Sequence, residues 1–148
     1  MQHLNMLYVL ADGAHARLVE RSRETGDFVT FAEMDGQGRL KDLRRELRAN
    51  SGFASQQSGT PQRHDVHGAD YERQAKEAFV QEVADRAAEI AKDKGYAGVF
   101  VAAPGRLLEP LRSRLAHQKA HVAGALERDL TKAPDATLPK WLDHVLPA

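Results

Sequence analysis

Two short apolar runs constrain what this chain can fold into more than any other feature. LNMLYVLA (4–11) and YAGVFVAAP (96–104) are nearly continuous hydrophobic stretches rich in strand formers. They lack the in–out alternation of a strand wet on one face, so both read as strands buried on two sides. A long amphipathic helix lies between them, with Tyr71, Ala75, Phe79, Val83, Ala87, Ile90 and Ala91 on one face. Asp70 is placed to cap its start, with Glu72 in its first turn, and Gly95 to stop it. Strand, helix and strand in that order predict a parallel pair.

The remaining elements extend this sheet. Asp12-Gly13 after the first run is a hairpin signal, because both residue types accept positive φ. HARLVERS then alternates Ala16, Leu18 and Glu20 against Arg17, Val19 and Arg21. ETGD turns the chain into FVTFAEM, which completes a three-stranded antiparallel meander. Leu107, Leu108, Leu111 and Leu115 line a second helix face, and placing Pro110 in the first turn starts that helix near Leu107. KAHVAGALERDLT (119–131) fits a helix through Val122, Leu126 and Leu130, or a strand through Val122, Gly124 and Leu126. Gly124 disfavours the helix, so the strand is expected. A short helix with Leu138, Trp141, Leu142 and Val145 on one face closes the chain. The expected fold is one α/β domain over 1–148, a mixed five-stranded sheet with helices on its faces.

At 148 residues such a domain is long enough to bury roughly 70% of its unfolded surface. Twenty-one basic residues balance 21 acidic ones, so no whole-molecule attraction to nucleic acid or anionic membrane follows. The absence of cysteine excludes disulfides, thiolate metal sites and a Cys nucleophile. No apolar run approaches the roughly 20 residues that span a bilayer. The N-terminus lacks a basic head and a small-residue cleavage site, so a cytoplasmic protein with no membrane partner is expected.

Asp12, at the end of the first strand, raises the question of metal-dependent chemistry. A two-metal nuclease takes carboxylates from a first strand, a first long helix and a later strand. Asp12 and one of Glu72, Glu77 or Glu82 would serve, but VFVAAPG brings no acid, so Asp12 reads as a turn residue. His64 and His67, and His117 and His121, are spaced as candidate zinc ligands, yet nothing joins the two pairs into the roughly three ligands a catalytic site needs. No metal, cofactor or catalytic residue is therefore expected, and no Gly-x-Ser-x-Gly elbow is present. AAPGRLLEP sets Gly105 and Arg106 between a strand and a helix start, where free amides favour an anion. From Gly36 to Gly68 the apolar pattern dissolves. Leu40, Leu43 and Leu47 support a short helix inside this stretch, and a loop of such length is commonly functional or disordered. Arg44, Arg45, Arg48, Arg63, His64, Gln56 and Gln57 supply groups of the kind that hold phosphates, although Phe53 is the loop's one aromatic for stacking.

VLADGAHARLVE, a polar loop ending SGTPQRHDVHG, ERQAKEAFVQEVADRAAE, VFVAAPGRLLEPLRSRL and LERDLTKAP, in that order, resemble the bacterial host attachment protein family. The resemblance runs from about Leu7 to Leu142. That family in turn is similar to the middle domain of eukaryotic and archaeal peptide-chain release factors and of Pelota, which implies an RNase H-like three-layer arrangement. The release-factor loop carries a Gly-Gly-Gln signature, whereas SGFASQQSGTPQRH places no Gly-Gly pair before Gln56 or Gln57. The resemblance thus implies a binding module for the ribosome, tRNA or other structured RNA, with Arg44, Arg45, Gln56, Gln57, Arg63, His64 and Arg106 as contacts. Its rivals are an RNA hydrolase or peptidyl-tRNA hydrolase-like rescue factor, and a host-cell adhesion factor.

Overall fold

The computed structural model describes residues 5–36, 40–42 and 68–143. Strand β1 (Met6–Ala11), β2 (His15–Arg21) and β3 (Phe28–Asp35) form the expected meander, followed by a short β4 (Leu40–Asp42). Helix α1 (Gly68–Lys94), β5 (Gly98–Ala103), α2 (Gly105–His117) and β6 (Val122–Glu127) come next. A 3-10 turn (Asp135–Thr137) leads into α3 (Leu138–Leu142). The strand order is β4-β3-β2-β1-β5-β6. β1 pairs antiparallel with β2 and parallel with β5, and β5 pairs parallel with β6.

The five strands read from the sequence are all present, and β4 adds a sixth at the edge. It stands where Leu40 was assigned to a short helix; Leu40 instead pairs opposite Met34 and extends the meander. Leu43 and Leu47 lie outside the described residues.

Both central strands are buried throughout, as their unbroken apolar runs require. On one face Leu7, Val9, Leu18, Val99 and Val101 meet Phe79, Val83 and Ala87 of α1 and Leu107, Leu111 and Leu115 of α2. On the other, Tyr8, Leu10, Phe28 and Phe100 meet Leu130, Leu138 and Leu142 from the C-terminal segment. Tyr8 stacks edge-on against Phe28, with centroids 5.1 Å apart.

Local chemistry shifts several boundaries. The β1–β2 connection is Asp12–Ala14, and the non-Gly residue with positive φ among the described ones is Lys119, not Asp12. The turn closes through the side chain instead. Asp12 Oδ1 accepts from the amides of Ala14 and His15, both at 2.7 Å, so Asp12 is the turn residue it was read to be. Helix α1 begins at Gly68, which puts Asp70 inside its first turn and not at the cap. Tyr71 is 71% exposed and Ala75 is exposed, because the first two turns have no core to pack on. Gly95 ends the helix at φ 72°. Helix α2 begins at Gly105, two residues before the expected start, so Pro110 lies inside it. Lys119 at φ 66° turns the chain off α2 and into β6, the strand expected for 119–131.

Candidate functional site

β1 and β5 run in the same direction and end side by side. Beyond their carboxyl ends lies an open cleft of about 820 Å³. Its walls come from three connections: Asp12–Ala14 after β1, the exposed first turns of α1 with Glu72, Arg73, Lys76 and Glu77, and Pro104–Leu107 between β5 and α2. Open α/β sheets place ligand sites at this end of their parallel strands, where neighbouring connections diverge.

Close backbone approaches shape the walls. A Cβ added to Gly13 would lie 2.6 Å from Lys76 Cγ, so the lysine stem runs directly over the β1–β2 turn. A Cβ added to Gly105 would lie 2.5 Å from Glu127 Oε2, which sets that carboxylate beside the start of α2. Three cations, Arg73, Lys76 and Arg106, and three acids, Asp12, Glu72 and Glu77, line the cleft together. Arg73 is held by Asp70 at 3.2 Å. Lys76 and Arg106 are exposed, and neither forms an ion pair among the described residues.

Asp12 is already committed to its surroundings. Oδ1 closes the turn, and Oδ2 lies 3.2 Å from the Thr131 hydroxyl, whose single proton it shares with the nearer Asp129 Oδ1 at 2.6 Å. β5 adds no carboxylate to this end of the sheet. Among the described residues no group of three or more His, Asp or Glu side chains is placed to hold a metal ion. His117 and His121 do not share a face, because α2 stops at the first and the chain reverses at Lys119 before the second.

Of the residues singled out in the sequence, Arg106 is found on the cleft wall, in the first turn of α2. Pro104 caps that helix without a side-chain hydrogen bond, and its carbonyl accepts from the amides of Leu107 and Leu108, at 2.9 and 3.0 Å. Arg44, Arg45, Gln56, Gln57, Arg63 and His64 lie outside the described residues, as do His67 and Phe53. Arg73 and Lys76 were missed. Their signal was the overhang of α1: charged residues three apart in the first turns of a helix whose apolar stripe becomes dense only at Phe79.

Among the described residues no helix is long and apolar enough to cross a membrane. No curated protein matches the chain. A family model described as "protein required for attachment to host cells" matches residues 7–142, from within β1 to the last residue of α3. With the match covering nearly all of its length, this chain belongs to the family of proteins required for attachment to host cells.

Proposed function

We propose that this chain is a non-enzymatic binding module that engages structured RNA, in the ribosome or in tRNA, at the cleft end of its sheet. The observation that carries this reading is the pair of cations Lys76 and Arg106, which line the cleft without an ion-pair partner among the described residues. Unpaired cations on a concave surface suit phosphate oxygens, which position a nucleic acid without reading its sequence. Helix α1 starts at this same end, and the candidate contacts Arg44, Arg45, Gln56, Gln57, Arg63 and His64 precede it in the sequence. On this reading, the resemblance of the sequence motifs to release-factor middle domains favours RNA over other polyanions, and the strand order is compatible with the RNase H-like layout that resemblance implies.

Co-sedimentation with ribosomes and filter binding of labelled structured RNA, each over a salt series, test the reading. Affinity should fall steeply with salt. Lys76→Glu combined with Arg106→Glu should weaken binding and flatten the salt slope by roughly 1 for each phosphate no longer neutralised. Equal binding by the double variant, or none by the parent at low salt, ends this reading. Cleavage of the RNA or of peptidyl-tRNA by purified protein would replace it with the hydrolase. The family description favours a second reading, an adhesion factor acting in attachment to host cells. Fractionation that recovers the protein on the cell surface would select it.

A further inference from the structure

Two cations on the α1 wall of the cleft are held in different ways. Arg73 is held at its head, by Asp70 at 3.2 Å, so its charge is already partnered. Lys76 is held at its stem. A Cβ built on Gly13 would stand 2.6, 2.8 and 3.2 Å from Lys76 Cγ, Cδ and Cβ. Three carbons of one side chain therefore fill the space where residue 13 would carry its own. The backbone does not ask for glycine here, because among the described residues the glycines at positive φ are Gly26 and Gly95. What position 13 requires is the missing side chain. Both sides of this seat are fixed. Asp12 Oδ1 closes the turn through the amides of Ala14 and His15, and α1 is anchored just beyond Lys76 by the buried Phe79 and Val80.

We propose that Gly13 is a positioning residue of the cleft: its bare backbone seats the Lys76 stem and so holds the ammonium ready for an anionic group of the ligand. The proposal rests on the reading of the cleft as a surface for RNA phosphates. A lysine stem is flexible, and binding an anion normally has to order it. A stem that is already packed has less freedom to lose, so more of the attraction appears as affinity. The head keeps its charge available. Lys76 is exposed, and its ammonium forms no ion pair among the described residues. An apolar stem laid on protein with the ammonium left in water is how a long basic side chain divides itself, and here it does so on the wall of the cleft. A side chain at 13 would displace Cγ and Cδ, and the ligand would then have to order the lysine itself.

Two measurements on the full chain test this, one of them without ligand. In the free protein with its lysines reductively 13C-methylated, the Lys76 methyl resonance, assigned by its loss in Lys76→Arg, should shift in Gly13→Ala. In filter binding of labelled tRNA to the unmodified chain at low salt, Gly13→Ala should weaken affinity roughly fivefold. In the Lys76→Ala background the same change should alter affinity by less than about twofold, because the stem it displaces is gone. Should Gly13→Ala alone fail to fold, Lys76→Ala in the same chain restores folding, and a double variant that stays unfolded overturns the proposal. Equal weakening with and without Lys76 overturns it too, as does a Lys76 resonance that ignores Gly13→Ala, and either result leaves the RNA reading intact. A parent that binds no tRNA ends the RNA reading instead, and the resonance still decides whether Gly13 seats the lysine.

Discussion

Arg17 stands on β2 between Ala16 and Leu18 with 8% of its surface exposed, and it faces the C-terminal segment. Its Nη1 donates to the carbonyls of Leu130, Thr131 and Ala133, at 2.9, 3.2 and 2.5 Å. Its Nη2 donates to Asp135 Oδ1 at 2.6 Å and to the Thr30 hydroxyl at 3.2 Å. A guanidinium is the side chain for this place, because its fixed fork satisfies several acceptors at once while remaining charged. Burial pushes the Asp135 carboxyl up, but bonds from the Thr30 hydroxyl and amide and from Arg17 outweigh it and hold it below its ordinary value of 3.8. A depressed carboxyl contributes stability that is fully present above the ordinary value and is lost as pH falls through the folded-state value. Asp135→Asn should therefore be less stable than the parent at pH 7, by about 1 kcal/mol given the partial exposure of the pair. The gap should close only toward acid, at a pH below the depressed folded-state value, where both side chains are neutral. Urea unfolding at the two pH values measures it, and a gap that persists in acid would show that the carboxylate charge contributes nothing.

Helix α2 illustrates conflict within one element. Its buried stripe of Leu107, Leu111 and Leu115 and its clasp to α1, where Arg114 Nε donates to Asp85 Oδ1 at 2.8 Å, both favour it. The Arg114 hydrogen bond holds the Asp85 carboxyl below its ordinary range, though so exposed a pair adds little stability. Against these stands Pro110, which has no N–H to offer the Arg106 carbonyl one turn earlier. The leucine stripe prevails because burying three leucines outweighs one missing hydrogen bond. Pro110→Ala should restore that bond and stabilise the protein by about 1 kcal/mol, part of the helical gain being offset by a freer unfolded chain. The corresponding rise in Tm is about 3 °C. An unchanged or lower Tm would mean that the proline ring packs well enough to compensate.

Across the whole molecule the two faces of the sheet are covered by different means. Two long helices cover one face, and the other depends on the segment from Arg128 to Leu142, which is mostly irregular. Leu138 and Leu142 are fully buried there beneath Tyr8 and Phe100, and Arg21 pairs with Asp143 near its end. Leu138→Ala should lower stability by about 3 kcal/mol. That is a large share of the roughly 5–15 kcal/mol typical of a domain. Trp141, the one tryptophan, sits under the Arg128 guanidinium 4.2 Å from its ring centre and reports the change by fluorescence. A loss below about 1 kcal/mol would show that the segment adds little to the fold.

The central strands were legible because a strand buried on both faces must be apolar at every position, and 6–11 and 98–103 are. Their parallel relation followed from the helix between them, whose period and terminating Gly95 are local properties. Gly124 likewise tipped 122–127 toward a strand for a local reason. Three features escaped for the opposite reason. Leu40–Asp42 carries too few residues for any period, and its pairing with β3 is set by the partner. The start of α2 was misplaced because the tolerance of a helix for Pro110 depends on what its leucines bury. Lys76, Arg106 and Asp12 are separated by 64 and 30 residues in the chain, and their meeting at one cleft follows from where β1, α1 and β5 begin and end. Periodicity and turn chemistry act between neighbours and can be read from the order of residues; a shared site depends on tertiary packing, which decides which distant ends lie side by side.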